Sequence, residues 1–98
     1  MNTDFWSWNG SYVGYKNGNN LFSKNGSPIG YFVNDLLFDF SGHYLADVKE
    51  KNRLIVVINH KFKISNAYIK PINSISRSCV NKIGKVMLSG CENFILVV

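Results

Sequence analysis

The chain has 98 residues, of which 46% are hydrophobic and 14% aromatic, and it carries a net charge of +5. This length fits a single domain over residues 1–98, and the hydrophobic share argues against intrinsic disorder. The longest apolar run, LIVVI at residues 54–58, is too short to span a bilayer, and the opening MNTDFWSWNG lacks the apolar stretch of a secretion signal. We therefore expect a cytoplasmic protein without a membrane partner.

Three segments repeat with a period of 16 residues, and each is centred on a turn dipeptide. They read FWSWNGSYVGY at residues 5–15, LFSKNGSPIGY at 21–31 and LFDFSGHYLAD at 37–47. Asn-Gly between alternating apolar residues is typical of a β-hairpin with a two-residue type I′ turn. The sequence therefore predicts three consecutive hairpins, joined by the polar segments 16–20, 33–35 and 49–52.

A two-residue turn fixes which side chains face each other within each hairpin. One column then pairs a large apolar residue with a small one: Phe5 with Gly14, Leu21 with Gly30, and Leu37 with Ala46. The next column pairs aromatic with aliphatic residues: Trp6 with Val13, Phe22 with Ile29, and Phe38 with Leu45. A small residue opposite a large one in every copy predicts a close approach of the backbone at that column.

A fourth, altered copy follows if one residue is inserted. Ile55 then takes the aromatic position, Asn59 the position of the turn glycine and Phe62 that of the aliphatic residue. Asn tolerates the left-handed backbone conformation that such a turn requires. Hairpins this short cannot bury a face alone, so three or four of them are expected to pack around a shared centre in a mainly β fold. Whether the fourth hairpin closes the arrangement stays open at this point.

The extension over residues 64–98 has a different pattern. Within residues 74–85, four apolar residues fall on one face at helical spacing and predict a short helix, although the serines and β-branched residues there equally suit a strand. KVML at 85–88 and FILVV at 94–98 indicate two strands separated by a turn. The two cysteines, Cys79 and Cys91, are expected to be free thiols.

The units LFSKNGSPIGY and LFDFSGHYLAD resemble the bacterial four-fold beta flower domain family. In that family, four β-hairpins are arranged with pseudo-four-fold symmetry. The resemblance covers about residues 5–63, and the fourth unit departs from the pattern. It implies a fold and no established activity, so it transfers no functional residues to this chain.

Signals for catalysis are weak. Asp39, Ser41 and His43 occur together in DFSGH, but this segment is the third predicted turn and lacks a nucleophile elbow or an oxyanion loop. Paired carboxylates, a phosphate-binding glycine loop, and Cys or His pairs at metal-ligand spacing are all missing from the sequence. We therefore expect a protein that is not an enzyme and that uses no metal and no cofactor.

The charge is unevenly distributed along the chain. Residues 1–48 contain two basic and four acidic residues, which gives −2, whereas residues 49–98 contain nine basic and two acidic residues, which gives +7. The second half therefore favours an anionic partner, and basic side chains beside exposed aromatic rings suit nucleotides or single strands. The alternative is a solvated basic face with aromatics buried in the core. The predicted ligand-binding residues are Trp8, Tyr15, Tyr31, His43, His60, Lys61, Lys63, Lys70, Arg77, Lys82 and Lys85.

These observations favour a small non-catalytic protein that sequesters an anionic, nucleotide-like ligand, by analogy with phage counter-defence proteins that act as ligand sponges. One alternative is a structural or protein-interaction module that self-assembles through its apolar end, FILVV. The other is non-specific binding of nucleic acid. We expect a homo-oligomer.

Overall fold

The computed structural model describes residues 2–96, and eight β-strands form in that part of the chain, with no α-helix. The strands are β1 (Thr3–Ser7), β2 (Tyr12–Asn17), β3 (Asn20–Ser23), β4 (Pro28–Val33), β5 (Leu36–Phe38), β6 (Tyr44–Lys49), β7 (Arg53–Val57) and β8 (Cys91–Asn93). Strands β1–β7 are antiparallel neighbours in chain order, β7 also pairs with β1 in parallel, and β8 adds to β7. The first seven strands thus close on themselves, and we call them the closed sheet. The prediction of a mainly β fold is confirmed.

Equivalent residues of β1, β3, β5 and β7 meet in one hydrophobic core. Leu21, Leu37 and Leu54 are fully buried, and Phe5 is 4% exposed. Phe5, Leu21 and Leu37 lie 16 residues apart, and Leu54 follows after the predicted one-residue insertion. The core therefore has four equivalent contributors, and β7 is the first strand of a fourth repeat.

The small residues of the repeats lie where neighbouring backbones come close together. The predicted pairs are confirmed for this column, in which Phe5 faces Gly14, Leu21 faces Gly30 and Leu37 faces Ala46. A Cβ atom on Gly14 would collide with the carbonyl oxygen of Phe22, and one on Gly30 would collide with that of Phe38. These glycines therefore allow each hairpin to pack directly against the backbone of the next.

The hairpin turns are three-residue loops, so the prediction of two-residue type I′ turns is wrong. In the first hairpin, the amide of Ser7 donates to the carbonyl of Ser11 at 2.8 Å, and the amide of Gly10 donates to the carbonyl of Ser7 at 3.0 Å. Gly10 has a φ of 97°, whereas Asn9 does not have a positive φ. A type I turn followed by one left-handed residue needs only one glycine, which is what each repeat supplies.

The longer loop changes the register of the second column. A bulge follows the confirmed pairs, and the aromatic residues then face other partners: Trp6 faces Tyr12, Phe22 faces Pro28, and Phe38 faces Tyr44. The predicted partners Val13, Ile29 and Leu45 are therefore wrong. The extra loop residue is the physical reason, because it displaces the return strand by one position.

The fourth hairpin has a return strand from a distant part of the chain. β7 ends in a 3₁₀ turn at Ile58–His60, and its antiparallel return strand is β8, with Ile55 opposite Asn93. The prediction of a turn at Asn59 and a return through Phe62 is wrong, since Phe62 is 80% exposed. Residues 61–90, which we call the strap, leave the sheet between the two strands.

The strap contains no helix and no strand of the sheet. The helix predicted over residues 74–85 and the strand predicted over 85–88 do not form. Residues 94–96 also lie outside the strands, while 97–98 fall outside the described residues. Cys79 and Cys91 are free thiols, as expected.

Candidate binding surface formed by the strap

The backbone of the strap bonds to the three hairpin turns in the reverse of their chain order. Strap amides donate to the carbonyls of the turn glycines: Ser65 to Gly42 at 2.8 Å, Ser74 to Gly26 at 2.7 Å, and Lys82 to Gly10 at 2.8 Å. Three residues further along the strap, a second amide donates to the residue two before each glycine: Tyr68 to Phe40, Arg77 to Lys24, and Lys85 to Trp8. Because alternate turns of an antiparallel meander lie at one end, the strap runs round that end of the closed sheet.

The turn glycines also make room for the strap. A Cβ atom on Gly10, Gly26 or Gly42 would collide with a strap carbonyl oxygen, that of Lys82, Ser74 or Ser65 respectively. Each of these glycines has a positive φ as well. The repeated turn glycine therefore serves the turn and the docking of the strap together.

Side-chain donors of the closed sheet bind carbonyl oxygens of the strap. The indole Nε1 of Trp8 donates to Val86 at 2.9 Å, and the hydroxyl of Tyr15 donates to Ile75 at 2.5 Å. Trp8 is 3% exposed and Tyr15 is fully buried, so the expectation that these two rings are exposed is wrong. They are buried in part because the strap covers them and accepts their hydrogen bonds.

Arg53 is a structural residue that the sequence interpretation missed. Its buried guanidinium donates to the carbonyls of Trp8 at 3.2 Å and Ile83 at 3.0 Å. It thereby joins β7, the first turn and the strap. The available signal was a basic residue at the start of the run RLIVVI, where the three repeats have Asp4, Asn20 and Leu36.

The predicted basic residues mostly hold the strap in place. Three of them form ion pairs with carboxylates: Lys61 with Glu92, Arg77 with Asp4, and Lys85 with Glu50. The ammonium group of Lys82 lies 4.0 Å from the centroid of the Trp6 ring. Within residues 2–96, Lys63 and Lys70 have no carboxylate partner. Three of the six predicted cations are therefore already paired with carboxylates of the chain.

The ion pair of Asp4 and Arg77 is the most specific link between the closed sheet and the strap. The guanidinium donates to both carboxylate oxygens at 2.6 and 2.7 Å, and the hydroxyl of Tyr12 donates to one of them at 2.8 Å. The hydrogen bonds from Arg77 lower the pKa of Asp4 to about 2. Burial, and then the neighbouring Asp4, raise the pKa of the Tyr12 hydroxyl above its ordinary value.

A second polar cluster lies where β7 turns into the strap. The hydroxyl of Tyr44 donates to the buried carboxylate of Asp47 at 2.5 Å, and His60 Nδ1 lies 2.9 Å from the same oxygen. The amide of Val57 donates to the Tyr44 hydroxyl at 3.0 Å, and burial raises the pKa of that hydroxyl. Asp47 occupies the position at which the other repeats have tyrosine. This departure from the repeat was the sequence signal for the buried polar cluster.

The remaining predicted residues lie at separate places. Tyr31 stacks on Tyr68 of the strap, with ring centroids 3.8 Å apart. His43 is exposed, and its ring lies 3.5 Å from the carboxylate of Asp39. That carboxylate accepts hydrogen bonds from the amides of Ser41 and His43, so the segment DFSGH organises a turn.

The side chains of the strap form an apolar surface that faces solvent. Eight of them are between 73% and 95% exposed: Phe62, Ile64, Ile69, Ile72, Ile75, Val80, Ile83 and Val86. We call this surface the outer face of the strap. So many highly exposed apolar side chains within one segment make the outer face a candidate interaction surface.

Three shallow clefts flank residues 94–96 at the same end of the closed sheet. Their volumes are about 320, 380 and 450 Å³. The first cleft is lined in part by hydroxyl and amide side chains of the first two turns and by Lys24. Of the predicted site residues, only Lys61 lines one of these three clefts. Their linings offer few cations, so they suit small uncharged groups better than a polyanion.

Within residues 2–96, no group of three His, Cys, Asp or Glu side chains is placed to hold a metal ion. No helix in that part of the chain has the length and hydropathy to cross a membrane.

Comparison with known proteins gives one family. The sequence model described as 4-fold beta flower protein matches residues 1–88, and no curated protein and no solved structure matches the chain. The match extends well beyond residues 5–63 and takes in nearly all of the strap, so the strap is part of the pattern that defines the family. The chain belongs to the 4-fold beta flower protein family.

Proposed function

We propose that the protein is a non-catalytic interaction module and that the outer face of the strap is its docking surface. The observation that supports this is the orientation of the strap. Its backbone amides and carbonyls bond inward to the closed sheet, while eight apolar side chains are left 73–95% exposed. A segment that only capped the closed sheet would bury these side chains against it.

The energy available from this surface is large enough for association. Burying one isoleucine or valine side chain contributes roughly 1.5–3 kcal/mol. Four such side chains would contribute roughly 6–12 kcal/mol before the costs of association are subtracted. Association itself costs roughly 4–15 kcal/mol, so a stable complex requires most of the outer face, whose eight side chains would contribute roughly 12–24 kcal/mol.

Two double variants test the proposal. Ile69→Ser with Ile72→Ser removes two of the most exposed side chains, and Asn17→Ser with Asn19→Ser changes two exposed residues at the other end of the closed sheet. Light scattering at micromolar concentration measures self-association, and co-sedimentation with lipid vesicles measures binding to a surface.

We expect at least one of these associations in the wild-type protein, weakened about tenfold by the isoleucine variant and unchanged by the asparagine variant. If the wild-type protein shows neither association, or if both variants associate equally well, the proposal is wrong. Circular dichroism and thermal melting establish that both variants are folded.

Capture of an anionic, nucleotide-like ligand is the second candidate. It is supported by the segment 53–91, which contains seven basic residues and no acidic residue. The ligand would have to use Lys63 and Lys70, because three of the other cations already bind carboxylates, Lys82 lies over the Trp6 ring and Arg53 is buried. A thermal-shift screen over nucleotides and cyclic dinucleotides tests this candidate. Stabilisation that disappears in Lys63→Gln with Lys70→Gln supports it, and no stabilisation at saturating concentration rules it out.

A further inference from the structure

The strap carries basic residues as well as exposed apolar ones. Two strap lysines without a carboxylate partner among residues 2–96 are next in sequence to a highly exposed isoleucine: Lys63 to Ile64 and Lys70 to Ile69. Lys82 also lacks such a partner, but its ammonium group lies over the Trp6 ring of the closed sheet. The strap is therefore both apolar and basic. No acidic residue occurs between residues 53 and 91 to reduce this charge locally.

The apolar residues are also dispersed instead of clustered. Ile69, Ile72 and Ile75 are three residues apart, and Val80, Ile83 and Val86 repeat that spacing. These residues lie on an extended segment that runs round one end of the closed sheet. Protein-binding hot spots are usually compact groups of aromatic and arginine side chains in pockets. A second copy of this face would add like charges to the contact, which disfavours a strap-to-strap dimer.

A membrane interface fits both properties. Separate aliphatic side chains can enter the boundary between headgroups and acyl chains, while neighbouring lysines extend to the headgroups. Anionic lipids attract basic segments close to the surface, and the attraction weakens as salt is added. The charge complementarity therefore favours a lipid surface over a second copy of the chain.

We propose that the outer face of the strap binds the surface of membranes that contain anionic lipid, without crossing them. This inference rests on the proposed function, since it names the partner of the same surface. It departs from the expectation of a protein without a membrane partner, which rested on the lack of a spanning segment.

The test is flotation with vesicles of phosphatidylcholine that contain about 30% phosphatidylglycerol, with pure phosphatidylcholine vesicles for comparison. At low salt, we expect wild-type protein to bind the anionic vesicles at least about tenfold more tightly than the pure phosphatidylcholine vesicles. This difference in affinity should shrink at high salt. Lys63→Gln with Lys70→Gln should weaken the binding about tenfold or more. The matched control Lys49→Gln with Lys51→Gln makes the same change in net charge outside the strap, at the end of β6 and in the turn that follows it, and it should have a much smaller effect.

Ile69→Ser with Ile72→Ser should also weaken vesicle binding about tenfold, which separates insertion from charge attraction alone. Equal binding to the two kinds of vesicle, or equal binding by the strap and control variants, would overturn the membrane proposal. Self-association that depends on the strap, without any vesicle binding, would overturn the membrane proposal and support the proposed function. No strap-dependent association of either kind would overturn both.

Discussion

The carbonyl oxygen of Lys82 lies where the Cβ atom of a side chain at position 10 would be, so Gly10 and Lys82 touch through their backbones. Two hydrogen bonds hold this contact, from the amide of Lys82 to Gly10 and from the amide of Lys85 to Trp8. The contact occurs in equivalent form at the other two turns. The attachment of the strap to the closed sheet therefore depends on a residue without a side chain at each turn.

Gly10→Ala should detach the strap from the first turn. We expect the free energy of unfolding to fall by about 2–4 kcal/mol, because the variant strains a positive φ and loses two hydrogen bonds. Urea denaturation measures the loss, and faster hydrogen exchange at the amides of Lys82 and Lys85 locates it. Gly18→Ala is the control, since Gly18 has a φ of 63° but open space where its Cβ atom would lie; it should cost only about 1–2 kcal/mol. Equal losses in the two variants would contradict the role of the strap contact.

The ion pair of Asp4 and Arg77 should make stability depend on pH in the acid range. The folded-state pKa of Asp4 is about 2, below the ordinary value of about 4 for an unfolded chain. The stabilisation is therefore fully present above about pH 4 and is lost as the pH falls through about 2. Asp4→Asn should lower the free energy of unfolding by about 1 kcal/mol at pH 7, and this difference should vanish near pH 2. Urea titrations at both pH values measure it.

Asp35→Asn is the matched control for the Asp4 variant, because Asp35 is exposed and forms no ion pair within residues 2–96. It should leave the free energy of unfolding unchanged at both pH values. A constant difference between wild type and Asp4→Asn from pH 7 to pH 2 would show that the ion pair does not contribute.

Tyr44→Phe should destabilise the junction between β7 and the strap. The hydroxyl of Tyr44 donates to buried Asp47 and accepts from the amide of Val57, so its removal leaves that amide without a partner and leaves Asp47 with His60 alone. We expect a loss of about 1–3 kcal/mol in urea denaturation. Tyr31→Phe should lose less than about 0.5 kcal/mol, because the Tyr31 hydroxyl has one long contact of 3.4 Å with Asn19 at the surface. A similar loss in both variants would mean that the buried cluster adds nothing specific.

Phe94→Ala should release β8 from the closed sheet. Phe94 is 7% exposed within the core, and truncation of a buried phenylalanine costs about 3–5 kcal/mol. The neighbouring variant Ile95→Ala should change the free energy of unfolding by less than about 0.5 kcal/mol, because Ile95 is 75% exposed. Thermal melting compares the two, and hydrogen exchange at Ile58, whose amide bonds to the carbonyl of Gly90, reports whether the return strand has separated.

The repeat carried most of the information about the fold. The 16-residue period placed the first three hairpins and the column of Gly14, Gly30 and Ala46, because these depend on local turns and on close packing within each unit. The turn type was wrong because Asn-Gly suits both a two-residue loop and a three-residue loop. Only the position of the following bulge separates the two, and no residue pattern marked it.

Local sequence patterns could not predict the path of the strap. Its backbone partners, such as Gly10 for Lys82, lie far away in the sequence, whereas the spacing of apolar residues over 74–85 is a local pattern and indicates a helix. The return strand of the fourth hairpin was missed for the same reason, because β8 lies far from β7 in the sequence. Of the predicted site, the basic residues were correctly placed in the second half, but nothing in the sequence showed that Arg77 meets Asp4.

The reversed order in which the strap meets the turns has a consequence for how the chain folds. The contact of Ser65 with Gly42 closes a short loop, and it brings Ser74 near Gly26, which in turn brings Lys82 near Gly10. Each contact thus shortens the effective loop that the next one must close, so the large entropic cost of a direct contact between Lys82 and Gly10 is divided into smaller steps. The strap can therefore dock in steps, first at the turn of the third hairpin, then at that of the second and finally at that of the first.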